Sequence, residues 1–314
     1  DLLRSRGLGD VYKRQVLGGG YSNEKTISLK SAKAVNEAFF NEGLKSKLIE
    51  IHDKTQLFSK STYKGLDFVF ILIHGAGGED GELQNFFDEI CLNYSGSNSS
   101  ACEKTFDKNS SKKYLSKEIL TPKQYDWDDS KKILIGQDKK TKKVVIKPTK
   151  EGSSIGVSIV ENDSQQIEEG IREAKKYGQF MIEEFIEGKE ITVAMVGEHI
   201  FPAVEIIPDD GFYDFNSKYN SKNTSYEKAI FEPSREKELI KYSKTINKDF
   251  GCTGWSRIDL IDDGKEFYFL ELNTVPGMTD SSLVPKAASF AGVEFNQLVM
   301  KIVQSSLDKK DIKM

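Results

Sequence analysis

The run Leu66 to Ile73 (LDFVFILI) ends at His74-Gly75-Ala76-Gly77-Gly78-Glu79-Asp80-Gly81. A stretch apolar on both alternations does not suit a half-solvated strand; it suits a parallel strand buried on both faces. A glycine loop at the carboxyl end of such a strand, followed by a helix (residues 83–90), is where open α/β sheets take ligands. Val16-Leu17-Gly18-Gly19-Gly20 reads the same way, as the tail of a buried strand entering a glycine turn. Ser28 then caps a helix with Leu29, Ala32, Val35 and Phe39 on one face, ended by Gly43. Residues 16–104 are therefore expected to form a small doubly wound α/β domain.

A chain of 314 residues exceeds one ordinary core, so two or three domains are expected. Residues 95–111, rich in Ser and Asn, read as a loop at a domain boundary. A helix (residues 112–118) stopped near Pro122, a solvated hairpin turn at residues 139–143, a strand at 144–147 and a helix at 164–177 make a second α/β domain, 105–188. Strands at 190–196 and 200–207, a helix at 234–250, a hairpin at 257–272 and a last helix at 294–307 make a third, 189–314. Arg4, Arg6 and Arg14 are three of the six arginines in a chain that otherwise uses Lys. Residues 1–15 accordingly read as a non-native or fragment tail in place of a first strand.

The third domain's hairpin carries the chemistry. Arg257-Ile258-Asp259-Leu260-Ile261 alternates as a half-buried strand does; Asp262-Asp263-Gly264 is a turn; residues 267–272 return. Asp259 and Glu271 lie at similar distances from the turn and can meet across it, and Asn273 shares a face with Glu271. Two carboxylates and an amide oxygen on rigid strands suit Mg²⁺ that keeps waters and binds substrate phosphates. Arg257 beside them suits a carboxylate or a developing oxyanion. Glu151 to Gly156 supplies the backbone N–H groups and hydroxyls of a phosphate-covering loop, without the P-loop pattern. Lys147 just before it and Lys108 are candidate phosphate partners, and His74 sits at a strand end. Gly211 to Tyr219 (GFYDFNSKY) puts four aromatics in one loop, as a lid that excludes water does. A net charge of −4 argues against a general nucleic-acid binder, no apolar run reaches membrane-span length, and three scattered cysteines fit a reducing cytosol.

Six segments in order, GGYSNEKTISL, HGAGGEDGELQ, IKPTKEGSSIGV, IEEFIEGKEITV, GFYDFNSKY and RIDL…FLELNTVPGMTDSSLVPK, resemble the D-alanine–D-alanine ligase family of the ATP-grasp fold. The resemblance implies a three-domain α/β (α+β) protein and an ATP-dependent carboxylate–amine ligase, which joins two D-alanines through a D-alanyl phosphate for peptidoglycan synthesis. It implies ATP and two Mg²⁺ ions, with Mn²⁺ able to substitute, held by Asp259, Glu271 and Asn273. Lys108, Lys147 and Ser154 fall on the ATP phosphates. Glu183, Glu184, Phe185 and Ile186 form the adenine linker, and Glu190 meets the ribose. Glu24 holds the first substrate's ammonium and is linked through Ser153 to Tyr219; His74 lies near its carboxylate. Lys218 lies near the transferred phosphoryl group. Arg257 and the amide of Gly277 pair as oxyanion donors, while Asn273, Ser282 and Leu283 are substrate contacts, the last two at the acceptor's carboxylate. Glu184 departs from members that place Lys there. Tyr219 favours an amine acceptor over D-lactate. A cytoplasmic homodimer without nucleic-acid or membrane partners is expected, and the alternatives are a ligase for another amino acid, such as D-Ala-D-Ser, or a catalytically dead nucleotide-binding relative.

Overall fold

The structure, a computed structural model, describes residues 13–137, 141–208 and 224–308. Three sheets follow one another along the chain. The first comprises β1 (Arg14–Gly19), β2 (Ser46–Ile51), β3 (Phe68–Ile71) and β4 (Asn93–Tyr94). It is wholly parallel, in the order β2-β1-β3-β4. Every residue of β3 is buried, as its apolar run requires. The chain leaves β1 toward β2 on one side and β3 toward β4 on the other. The loops after β1 and β3 therefore flank a topological switch point, where a crevice opens. Helix α1 (Lys25–Asn41) lies so close on β1 that a Cβ at Gly18 would stand 2.4 Å from that of Ala32. Helices α2 (Glu82–Glu89) and α3 (Ser99–Phe106) complete this part.

The second sheet holds β5 (Gln124–Asp128), β6 (Ile133–Ile135), β7 (Lys143–Pro148), β8 (Ser158–Glu161) and β9 (Phe180–Glu184), in the antiparallel order β6-β5-β9-β7-β8. Helix α4 (Ser164–Lys175) is N-capped by Asp163 and buries Ile167, Ile171 and Ala174 against Val144, Ile146 and Ile182. The third sheet holds β10 (Lys189–Val196), β11 (His199–Ile200), β12 (Val204–Ile207), β13 (Ser225–Lys228), β14 (Trp255–Asp262) and β15 (Phe267–Asn273). Its order is β13-β12-β10-β14-β15, with β11 on β10. Period-2 alternation sends Ile191, Val193, Ile258 and Leu260 to a core with Leu239, Ile246 and Phe250 of α5 (Pro233–Phe250). Its other face meets α6 (Leu283–Phe290) and α7 (Phe295–Leu307). There Ala194, Val204 and Trp255 share one core with Val16, Phe39 and Phe70 of the first sheet and α1, and Phe70 and Trp255 stand 5.9 Å apart.

Several expectations need correction. Arg14 and Gln15 are not tail: Arg14 is buried and opens β1, in register with Ser46 and Phe68. Ser28 caps nothing; α1 starts three residues earlier, and the Ser28 hydroxyl accepts Gly19 N–H and donates to Leu72 C=O. Residues 95–111 are largely helical: their Asn98 and Asp107 are N-caps, of α3 and of a one-turn helix Lys108–Ser111. The helix expected at 112–118 is a single 3₁₀ turn, Lys112–Tyr114, ended where Ser116 gives its N–H and hydroxyl to Asp249. β6 and β7, on either side of the turn expected at 139–143, do not pair, since β5 and β9 lie between them in the sheet, and residues 139 and 140 of that turn lie outside the described residues. The strand expected at 200–207 breaks at Pro202 into β11 and β12.

Candidate functional site

Antiparallel register sets the acidic face. Asp259 stands opposite Glu271, Arg257 opposite Asn273, and on the other side Thr192 opposite Asp259 and Glu190 opposite Ile261. Directly opposed residues share a face, so Glu190, Thr192, Arg257, Asp259, Glu271 and Asn273 all project from the sheet together. A bulge after Asp259 shifts the register of β15, re-aiming a side chain as bulges beside sites do. Asp259 is buried and accepts from Arg257 Nε at 2.9 Å and Nη2 at 2.7 Å, from Thr192 Oγ1 at 2.6 Å and from Asn273 Nδ2 at 3.2 Å. Glu271 pairs with Lys108 at 2.9 Å. Burial works to lower the Lys108 pKa, but the Glu271 charge and hydrogen bond outweigh it and hold the ammonium above its usual value.

Among the described residues no group of three or more His, Cys, Asp or Glu side chains forms a metal cage. Two carboxylates with one amide oxygen fit a cation of another kind. A magnesium ion takes one or two protein carboxylates and draws its remaining oxygens from phosphate and water. The donor set here matches that requirement in number and hardness.

The switch point of the first sheet faces this surface. Glu24 and His74 come from the loops after β1 and β3. The Glu24 carboxylate accepts from Ser153 Oγ of the loop between β7 and β8. Ser153 and Ser154 both hold left-handed φ, +53° and +57°, an arrangement uncommon for residues with a Cβ and concentrated at functional sites. His74 Nδ1 lies 2.8 Å from the Val275 carbonyl, so that nitrogen carries the proton and the neutral ring's Nε2 is an acceptor. Nε2 is buried and has no hydrogen-bond partner among the described residues. Burial lowers the His74 pKa, against the pull of Glu24. Glu79 ties the loop after β3 to the one after β15, accepting Gly75 N–H at 2.8 Å and Val275 N–H at 3.3 Å. Burial, aided by the charge of Glu24, pushes its carboxyl up to about 8. Glu24, His74, Ser153, Arg257, Gly277 and Leu283 line one small cavity with the acidic face. Ser282 lines it too, its hydroxyl accepting Thr279 N–H at 2.9 Å.

A larger cavity, about 350 Å³, opens between the second and third sheets. Lys108, Lys147 and Ser154 line it, as do Glu183 and Glu184 at the end of β9 and Phe185 and Ile186 in the link that follows. Glu190 borders both cavities. The Glu184 and Phe185 N–H groups are donated to the carbonyls of Lys123 and Lys143, so those two amides are engaged within the sheet. Glu183 is almost wholly buried and shared by two lysines, Lys147 at 2.5 Å and Lys112. Burial raises the Glu183 carboxyl, but the two ammonium groups outweigh it and hold it below the usual range.

The structure thus brings together every candidate on the described residues, in two adjoining cavities. Lys218 and Tyr219 lie outside the described residues, so the third member of the Glu24–Ser153 link is not seen. Thr192, Lys112 and Glu79 escaped the sequence reading. A polar residue two along from Glu190 in an apolar strand was the available signal for Thr192, and the acid of the quoted HGAGGEDGELQ segment for Glu79; Lys112 had none. Such an arrangement can hold a polyphosphate over lysines and a cation, with an ammonium-bearing carboxylate beside it.

A family model described as "D-ala D-ala ligase C-terminus" matches residues 118–304. The chain is 36% identical over 303 residues to a D-alanine–D-alanine ligase of Pseudoalteromonas translucida, covering 94% of this chain and 97% of that one. It is 36% identical over 308 residues to one of Alcanivorax borkumensis, covering 96% of each. Among solved structures, a D-alanine–D-alanine ligase of Bacillus anthracis superposes with a TM-score of 0.83 at 29% identity, over 96% of this chain and all of that one. The complex of the Bacillus anthracis ligase with ATP gives 0.81 at 27%, over 96% and 98%. The VanG D-Ala:D-Ser ligase of Enterococcus faecalis gives 0.79 at 27%, over 95% of this chain and 100% of that one.

Proposed function

The chain belongs to the D-alanine–D-alanine ligase family, and on that premise we propose that it joins two D-alanines in an ATP-driven reaction at the boundary of its two cavities. The observation that carries the reading is the junction itself. Glu24 with Ser153, the Asp259–Glu271–Asn273 face, and the lysines Lys108 and Lys147 meet where an amino-acid pocket opens into a nucleotide-sized cleft.

ATP lies in the larger cavity, its adenine along residues 183–186, its ribose at Glu190 and its phosphates over Lys108, Lys147 and Ser154. Asp259, Glu271 and Asn273 would hold divalent magnesium, which when bound neutralises phosphate charge. Glu24 takes the first D-alanine's ammonium, and His74 faces its carboxylate. That carboxylate attacks the γ-phosphorus, giving D-alanyl phosphate and ADP. Ser282 and Leu283 hold the carboxylate of a second D-alanine, whose amine attacks the acyl carbon; Arg257 and Gly277 N–H stabilise the oxyanion, and phosphate leaves. The protein's task throughout is alignment and preorganised charge. An acyl phosphate hydrolyses in water, so the junction has to exclude it; the segment with Lys218 and Tyr219, to which that task is assigned, lies outside the described residues. A three-part division, its first part opening with β1 at Arg14 and running through α3 to Phe106, belongs to the same proposal, as do a cytoplasmic location and a homodimer. No helix among the described residues is long and apolar enough to cross a membrane.

The test is phosphate release from ATP with D-alanine as the sole amino acid, the product identified by mass, with D-serine and D-lactate as competing acceptors. D-Alanyl-D-alanine is the expected product. ATP turnover that leaves D-alanine unjoined would overturn the reading.

A further inference from the structure

Behind the larger cavity, one buried carboxylate serves two lysines. Glu183 and Lys147 line the cleft. Lys112 comes from the 3₁₀ turn behind it, its side chain only 10% exposed, with Nζ also donating to the Pro122 carbonyl at 3.3 Å. The cluster holds two positive charges and one negative. Were Lys147 the sole partner of Glu183, the pair would be neutral. A phosphate drawing Lys147 away would then leave a buried, unpaired anion facing another anion, which protein interiors strongly penalise.

We propose that Lys112 is a positioning residue: it keeps Glu183 compensated, so that Lys147 can turn to the nucleotide's phosphates. The inference rests on the reading of this cavity as the ATP site. The depressed Glu183 pKa agrees with it, since the carboxyl is held ionised by both ammonium groups. Lys112 touches no nucleotide in this scheme; it acts by supplying the charge that Lys147 withdraws.

The experiment measures MgATP binding by calorimetry, together with KM for ATP and for D-alanine. Lys112→Met should weaken ATP by about tenfold or more and leave KM for D-alanine within about threefold, because the perturbation sits in the nucleotide cleft. Lys112→Arg, which keeps the charge, should bind ATP within about threefold of wild type. The decisive variant is Lys112→Met combined with Glu183→Gln, which restores the net charge to plus one. It should bind ATP more tightly than Lys112→Met alone, a rescue that a merely structural lysine would not give. Unchanged ATP affinity in Lys112→Met, or a double variant no better than the single, overturns the inference. If Lys112→Met does not fold, the double variant decides: binding near wild type supports the inference, and a folded protein that does not bind ATP overturns it. Wild-type protein that fails to bind MgATP would refute the nucleotide reading itself, and this inference with it.

Discussion

Gly152 gives the sharpest test of the amino-acid pocket. A Cβ at this position would lie 2.8 Å from Oε2, 3.0 Å from Oε1 and 3.1 Å from Cδ of Glu24. These approaches are roughly half an ångström shorter than carbon–oxygen contact tolerates. In Gly152→Ala the carboxylate must therefore retreat or the loop must shift. The carboxylate is the far end of a flexible side chain beside a cavity, so it is the group that yields, and in doing so it draws away from the Ser153 hydroxyl. Displacing it from the Ser153 hydroxyl costs about 1–3 kcal/mol. Because Glu24 is the group assigned to the first substrate's ammonium, that cost should appear as an apparent D-alanine affinity about 5- to 150-fold weaker. The added methyl points at Glu24, so KM for ATP should stay within about threefold. The assay is initial-rate ADP release with each substrate varied at saturating levels of the other. Unchanged KM for D-alanine in a folded Gly152→Ala protein would remove Glu24 from the substrate's ammonium site.

Three further outcomes are expected. Asp259→Asn removes the anion that holds Arg257 by two hydrogen bonds and half of the carboxylate pair; magnesium-dependent phosphate release should fall by about 10²- to 10³-fold, and full activity would refute the cation assignment. Tyr219→Phe should let D-lactate compete as acceptor, read as ester product by mass; an unchanged acceptor preference counts against a lid role. Glu79 is pushed up from its ordinary value of 4.5 to about 8, so its stabilising contribution is complete below pH 4.5 and is lost as pH rises through about 8. Its share of the slope is at most about 1.4 kcal/mol per pH unit. Glu79→Gln should therefore flatten the fall in Tm between pH 5 and 8, and identical Tm–pH curves for variant and wild type would show that Glu79 does not titrate there.

The acidic hairpin was legible because its signal is local. Residues 257–261 alternate with period 2, and Asp259 does stand opposite Glu271, but only through the bulge: the register nearest the turn, Asp262 opposite Phe267, would by itself set Leu270 against Asp259. The apolar run before His74 was equally direct, since only a strand covered on both sides can bury every residue. Ser28 misled because cap chemistry and a buried hydroxyl satisfied by Gly19 and Leu72 look the same in one dimension. Helix α6, not expected from the sequence, carries Pro285 in its first turn, where no intrahelical donor is needed. Lys112 could not be assigned, because its partner lies 71 residues away and meets it only once the sheets are built; Thr192 had its place beside Glu190 as a signal, but its partner lies 67 residues away. The Ser/Asn-rich stretch at 95–111 shows the opposite error: residues that favour loops are also those that start helices.

The interior of the second sheet is made only from residues of its own strands and α4, whereas the first and third sheets share a single core through Phe70 and Trp255. The first and third sheets are thus one packed body, and the second is a smaller one with a core of its own. Displacing the second sheet would tear no apolar interior apart, but it would carry Ser153 with it, so widening the nucleotide cleft would also release the Glu24 carboxylate that Ser153 holds.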